Sequence, residues 1–332
     1  MLKDNNFVPD GDLRVIFMGT PEFAVASLKA LLDARVNIVG IVTTPDKPQG
    51  RGQITKESDV KAFARSTKIP ILTPDRLKDE IFINELRYLK PDLNVVVAFR
   101  MLPEVIWSMP PLGTINLHAS LLPDYRGAAP INHAIINGET ITGVTTFFIE
   151  KEIDTGKIIF SQNVDIFPDD NAGSLHNKLM LTGAELLVKT VFAIRDNDYK
   201  VSDQKVQQGN KQLQNAPKIV KETCRIDWKD NIDNIHNFVR GLSPYPGAWT
   251  LMQKLNSNEQ ISLKIYKTNK EICNHDLNPG TIITDHKNIL KIAVTGGFLH
   301  FCNIQAEGRK RLDTENFLRG FKDIDSYKII IP

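Results

Sequence analysis

Asn116 and His118 stand two residues apart in the stretch NLHASLLPDYRGAAPI, residues 116–131. In an extended strand, residues two apart share a face. An amide and an imidazole would then lie side by side, with Leu117 turned toward the core. Both can donate a hydrogen bond to a carbonyl oxygen that becomes negative in a tetrahedral state. Each such donor is worth about 3–4 kcal/mol in a preorganised site. A carboxylate, Asp154, follows 36 positions after residue 118 in the run Glu150-Lys151-Glu152-Ile153-Asp154-Thr155-Gly156. Beside His118 it would stabilise an imidazolium and accept protons, directly or through water. Each residue also has a structural reading: Asn116 as a cap, His118 as a satisfied half-buried ring, and Asp154-Thr155-Gly156 as a tight turn.

These residues need a frame. Residues 14–17 read as a short buried strand, with Thr20 as the N-cap and Pro21 as the first residue of a helix reaching about residue 34. Residues 37–43 form the next strand, so the chain opens as a parallel strand–helix–strand unit. Helical stretches at 58–66 and 79–89 alternate with strands at 71–72 and 93–98. The second of these is almost wholly apolar, as expected of a strand covered on both faces. Residues 113–117 and 143–148 give two further strands, and 175–194 has apolar residues at helical spacing. The expected fold is α/β: a Rossmann-like, mostly parallel sheet with helices on both faces. Ligands in such sheets bind beyond the carboxyl ends of the strands.

Residues 201–217 are polar with few apolar anchors, a linker composition. Beyond them come a helix at 231–240 with Gly241 as C-cap, then short alternating runs at 248–252, 261–267, 281–284, 289–293 and 298–304. Asp313 is placed to cap a last helix through residue 318. Turn residues separate the runs, which predicts a small β-barrel. The expected domains are therefore 1–204, a linker at 205–217, and a barrel domain at 218–332.

With 42% hydrophobic and 24% charged residues the chain has ordinary globular composition. An amino end without an apolar run predicts no secretory signal, and no stretch reaches the ~18 apolar residues of a membrane span. Cys224, Cys273 and Cys302 are an odd set without Cys-x-x-Cys spacing, which points to a reducing, cytoplasmic setting. Residues 1–204 hold 22 Lys/Arg against 26 Asp/Glu, a net −4, whereas 205–332 hold 19 against 13, a net +6. That asymmetry fits either a polyanionic partner or chance scatter on solvated faces. The turn Met18-Gly19-Thr20-Pro21 opens a helix but carries no Gly-x-Gly-x-x-Gly, so a dinucleotide site is unsupported. No histidine stands in a metal-ligand spacing, and no metal is expected. Residues 45–56, PDKPQGRGQITK, form a long polar loop with Lys47, Arg51 and Lys56, suited either to gripping a substrate or to plain solvation.

Read together, Asn116-x-His118, Ser120-Leu121-Leu122-Pro123 and Asp154-Thr155-Gly156 resemble, in order, the signature of the folate-dependent formyltransferase family. Met18–Pro21, the loop at 45–52, Arg126–Ile131, Arg225-Ile226-Asp227-Trp228 and Pro244-Tyr245-Pro246-Gly247-Ala248-Trp249 are similar to the branch acting on methionyl-tRNA. Formyltransferases acting on glycinamide ribonucleotide are similar around the Asn and His but lack the second domain. The resemblance implies that Asn116 and His118 polarise the formyl oxygen, that Asp154 assists proton transfer, and that Ser120, Leu121, Leu122 and Pro123 border the folate site. It implies 10-formyltetrahydrofolate as donor and initiator methionyl-tRNA as acceptor, with Arg51 in a loop that grips the aminoacyl end; a sugar-nucleotide N-formyltransferase or a 10-formyltetrahydrofolate hydrolase with the same centre stays open. It also implies an oligonucleotide-binding-like barrel as second domain. A monomer acting away from membranes is expected. The chain departs from the pattern at Arg100-Met101-Leu102-Pro103, where many relatives have a glycine and one residue more, and in the charged run 149–153.

Overall fold

The computed structural model describes residues 12–49, 54–204 and 213–331. Arg51 and residues 205–212 of the expected linker lie outside them. The chain clusters into two compact units. One is made of residues 1–127, 142–165 and 176–215, the other of 128–141, 166–175 and 216–332.

The first unit is built on a sheet in the order Ile158–Asp165, Ile141–Phe148, Thr114–His118, Leu93–Val97, Val15–Gly19, Ile38–Val42, Ile71–Leu72. The pairings from Thr114–His118 to Ile71–Leu72 are parallel. Thr114–His118 and Ile141–Phe148 pair antiparallel, with His118 opposite Thr145 and Asn116 opposite Phe147. The sheet is thus mixed, and its parallel part has the expected strands.

Strand alternation sends side chains to two covered faces. Ile16, Met18, Val42 and Val96 pack with Phe82 and Leu86 of the helix Glu80–Tyr88 and with Ile106. On the other face the helix Ala172–Arg195 crosses so closely that a side chain at Gly183 would meet Leu117 Cδ2 at 2.9 Å. There Thr146 and Thr190 share a hydroxyl–hydroxyl hydrogen bond of 2.9 Å. Leu117 therefore faces the helix, and Asn116 and His118 face away from it.

The expected cap at Thr20 is displaced by one residue. Pro21 is the N-cap of Glu22–Asp33 and makes no side-chain cap bond. The Thr20 carbonyl accepts instead from the Val60 N–H in the next helix. Ser58 and Asp79 do cap through their side chains, accepting from the N–H groups of Lys61 and Ile81. Within the expected loop at 45–56, Lys47–Gln49 and Ile54–Lys56 pair as a short antiparallel ladder.

In the second unit an antiparallel sheet runs Ile282–Thr284, Leu290–Val294, Gly297–Ala306, Gln260–Ile272, Ala248–Lys254, Tyr327–Ile330. Its edges approach each other: an ideal Cβ on Gly280 stands 3.5 Å from Ile329 Cβ and 3.4 Å from Ile331 Cδ1, so the sheet is a nearly closed barrel. Trp228 is fully buried in this core and its indole N–H donates to Thr250 Oγ1 at 2.9 Å. Asn231 and Asp313 cap their helices as N-caps. Gly241 is not the C-cap; the helix Ile232–Gly241 ends at Leu242. Gly241 matters for close approach instead, since a Cβ there would meet the Asn132 carbonyl oxygen at 3.1 Å.

Candidate active site

His118 is the last residue of its strand and is buried, with its ring edge-on to Phe147 at 6.5 Å between centroids. Its Nε2 lies 2.9 Å from the carbonyl oxygen of Tyr125. A carbonyl can only accept, so Nε2 carries a hydrogen and donates it. The other ring nitrogen, Nδ1, is then a free acceptor on a neutral ring and a donor on an imidazolium. Nδ1 faces the carboxylate: Asp154 Oδ2 is 4.0 Å away. That is longer than a hydrogen bond, which leaves Nδ1 open to a reacting group.

Asn116 lies on the same face about 7 Å back along the strand. Among the described residues its amide makes no hydrogen bond, and it is only partly buried. A strand amide left unpaired beside a buried imidazole is a donor available to a bound carbonyl.

Asp154 reaches His118 because the connection after Phe148 folds back. Its backbone is left-handed, φ 56°, a conformation that Asp tolerates better than most residues. Gly156 packs directly on the preceding strand: a Cβ there would stand 1.8 Å from the Phe148 carbonyl oxygen. The Gly127 N–H donates to Asp154 Oδ2 at 3.0 Å. The turn reading of Asp154-Thr155-Gly156 does not exclude a catalytic one, because the turn carries the carboxylate to within 4.0 Å of His118 Nδ1.

The loop after His118 is internally satisfied. Ser120 is buried and its hydroxyl donates to the Asp124 carbonyl at 2.7 Å. Thr145 Oγ1 donates to the Ser120 carbonyl and accepts from the Leu122 N–H. Leu121 lies beside Gly143, where a Cβ would meet Leu121 Cδ2 at 2.5 Å. Leu122 is buried, and Pro123 follows it through a cis peptide bond. Ser120 to Pro123 thus form a fixed wall next to the His118 strand. Arg100, at the departure from the family pattern, donates to the carbonyls of Pro74 and Asp75 at 2.8 and 3.1 Å. It thereby ties together the segments that follow the strands Leu93–Val97 and Ile71–Leu72.

Three residues at the site went unread in the sequence: Tyr125, Gly127 and Gln204. Tyr125 and Gly127 act through backbone groups, which residue type does not announce. Gln204 sits in a polar stretch of linker composition, and no local signal marks it. Among the described residues no cluster of His, Cys, Asp and Glu could hold a metal ion, and no helix is long and apolar enough to cross a membrane.

An amide, an imidazole and a carboxylate gathered on a mixed α/β sheet, with a barrel unit behind them in the chain, agree with one family. The formyl transferase profile matches residues 13–191, and that of the formyl transferase C-terminal domain matches 218–322. The chain belongs to the formyl transferase family. Within it, the chain is 50% identical over 320 residues to the methionyl-tRNA formyltransferase of Parabacteroides distasonis, covering 96% of this chain and 98% of the relative. It is 47% identical over 317 residues to that of Flavobacterium johnsoniae, covering 96% and 99%. Among solved structures, the N-formyltransferase of Helicobacter canadensis, in complex with folinic acid and dTDP-3-aminofucose, shares the fold. Its TM-score is 0.62 at 20% identity, over 90% of this chain and all of that one. HypX of Aquifex aeolicus with tetrahydrofolic acid gives a TM-score of 0.60 at 17% identity, over 94% of this chain and 48% of that one.

Proposed function

We propose that this chain transfers the formyl group of 10-formyltetrahydrofolate to the α-amino group of initiator methionyl-tRNA, for translation initiation in the cytoplasm. The neutral amine attacks the formyl carbon and a new C–N bond forms. The carbonyl oxygen becomes an oxyanion, held by the Asn116 amide and by Nδ1–H of a protonated His118. With Nε2–H committed to Tyr125, His118 can donate to the oxyanion only as imidazolium. The Asp154 carboxylate faces that nitrogen across 4.0 Å. Asp154 also relays the proton that leaves the amine to the folate nitrogen, directly or through water. The bond from the formyl carbon to that nitrogen breaks and tetrahydrofolate leaves.

The wall Ser120–Pro123 borders the donor in this reading. Arg51 grips the aminoacyl end, and the barrel domain, 218–332, binds the tRNA with its positive charge. The catalytic domain is 1–204, residues 205–217 link the two, and the chain works as a monomer without a metal ion. The observation that carries the proposal is the orientation of His118: one nitrogen fixed by a carbonyl, the other free and facing a carboxylate.

The test is acceptor choice. Full-length protein with labelled 10-formyltetrahydrofolate is offered charged initiator tRNA, charged elongator methionine tRNA, a 4-amino sugar nucleotide, or water alone. Label should appear on initiator methionyl-tRNA. Label on the sugar nucleotide, or formate released into water as the main product, overturns the assignment.

A further inference from the structure

One side chain from outside the Asp154 loop bonds both the turn that carries the carboxylate and the residue next to the N–H from which the carboxylate accepts. The carbonyl oxygens of Asp154 and Gly156 both accept from the amide nitrogen of Gln204, at 2.9 and 2.8 Å. The amide oxygen of Gln204 accepts from Nε and Nη2 of Arg126, at 3.0 and 2.6 Å. Arg126 precedes Gly127, whose N–H holds Asp154 Oδ2 at 3.0 Å. The orientation of the Gln204 amide is fixed by its partners. Carbonyls only accept and a guanidinium only donates, so the flipped amide would break all four bonds.

Gln204 is itself anchored. Two positions earlier, Ser202 and Ile158 exchange backbone hydrogen bonds of 2.9 Å, which tethers this stretch to the edge strand Ile158–Asp165. The Asp154 backbone is in the left-handed region, which persists only where the surroundings hold it. Gln204 supplies much of that hold.

We infer that Gln204, with Arg126 as its partner, is a positioning residue for formyl transfer that sets the Asp154 carboxylate against His118. This inference rests on the role proposed above for Asp154 and extends it to a residue 50 positions away in sequence. Gln204 acts through the turn, by its bonds to the Asp154 and Gly156 carbonyls.

The experiment is a double-mutant cycle in the full chain: Gln204→Met, Asp154→Asn and the pair, with kcat and KM for 10-formyltetrahydrofolate and methionyl-tRNA, and Tm. Gln204→Met should lower kcat by roughly 10- to 100-fold, since about 1 Å of misplacement costs that much. Both KM values should stay within about threefold of wild type. In the Asp154→Asn background, Gln204→Met should lower kcat by no more than about twofold further, because two residues acting through one group are not additive. Wild-type kcat in Gln204→Met overturns the inference, as does a full multiplicative loss in the double variant. Wild-type kcat in Asp154→Asn overturns the role of Asp154 itself, and this inference with it. Should Gln204→Met not fold, Arg126→Met takes its place in the same cycle, with the same two overturning results.

Discussion

The carbonyl oxygen of Phe148 faces the α-carbon of Gly156 so closely that a β-carbon there would lie 1.8 Å from it. This contact seats the turn that carries Asp154. Replacing Gly156 by Ala must push the turn off the strand, because the obstructing atom is backbone and cannot rotate away. Gly156→Ala should lower kcat by roughly 10- to 100-fold through displacement of the carboxylate. Overpacking at this point should also cost about 1–3 kcal/mol of stability. Steady-state kinetics and urea unfolding check both parts, and an unchanged kcat would remove the turn from the account.

The second unit contains a histidine whose charge works against the fold. His236 has its pKa lowered to about 4, chiefly because burial disfavours the charged ring; Lys270 and Arg240 push the same way and Asp233 opposes them. Its Nδ1 pairs with Thr268 Oγ1 at 2.9 Å. In the unfolded chain the ring titrates near 6.5. Between these values the unfolded state binds the proton and the native state does not. Stability is therefore unaffected above about pH 6.5 and falls as pH drops toward 4, by at most roughly 3 kcal/mol. His236→Asn should flatten the dependence of the urea midpoint on pH between about 7 and 4.5. An identical slope in variant and wild type would show that His236 does not contribute.

Binding of tRNA should be electrostatic on the side of the basic half, given the net +6 of residues 205–332. Neutralised phosphates release counterions, so affinity should fall by on the order of tenfold or more between about 50 and 200 mM salt. Titration of labelled tRNA at several salt concentrations measures the slope. A flat plot would separate the basic charge from tRNA binding.

Much of this was legible in residue types. The apolar run at 93–98 marks a covered strand because Leu93–Val97 is buried on both faces. Period-two alternation places Asn116 and His118 together, and Leu117 packs against Gly183 on the opposite face as that alternation requires. Capping oxygens at Asn231 and Asp313 mark helix starts because they bond locally. Thr20 misleads for a physical reason: Pro21 takes the cap position, and the Thr20 carbonyl is committed to Val60. The edge strand Ile158–Asp165 went unseen because it is largely exposed beyond Ile159 and carries no apolar run there. Only the family resemblance, not spacing, placed Asp154 beside His118. Gln204 escaped altogether, since its four hydrogen bonds join segments 48 to 78 residues away.

Everything turns on whether His118, with Nε2 bound to Tyr125 and Nδ1 facing Asp154, acts on the formyl group. The direct measurement is the single-turnover rate of formyl-methionyl-tRNA formation by His118→Ala, with donor binding and Tm measured on the same protein. The rate should fall by ~10²–10⁴ while the donor still binds and the fold is retained. A rate within a few fold of wild type would contradict the account.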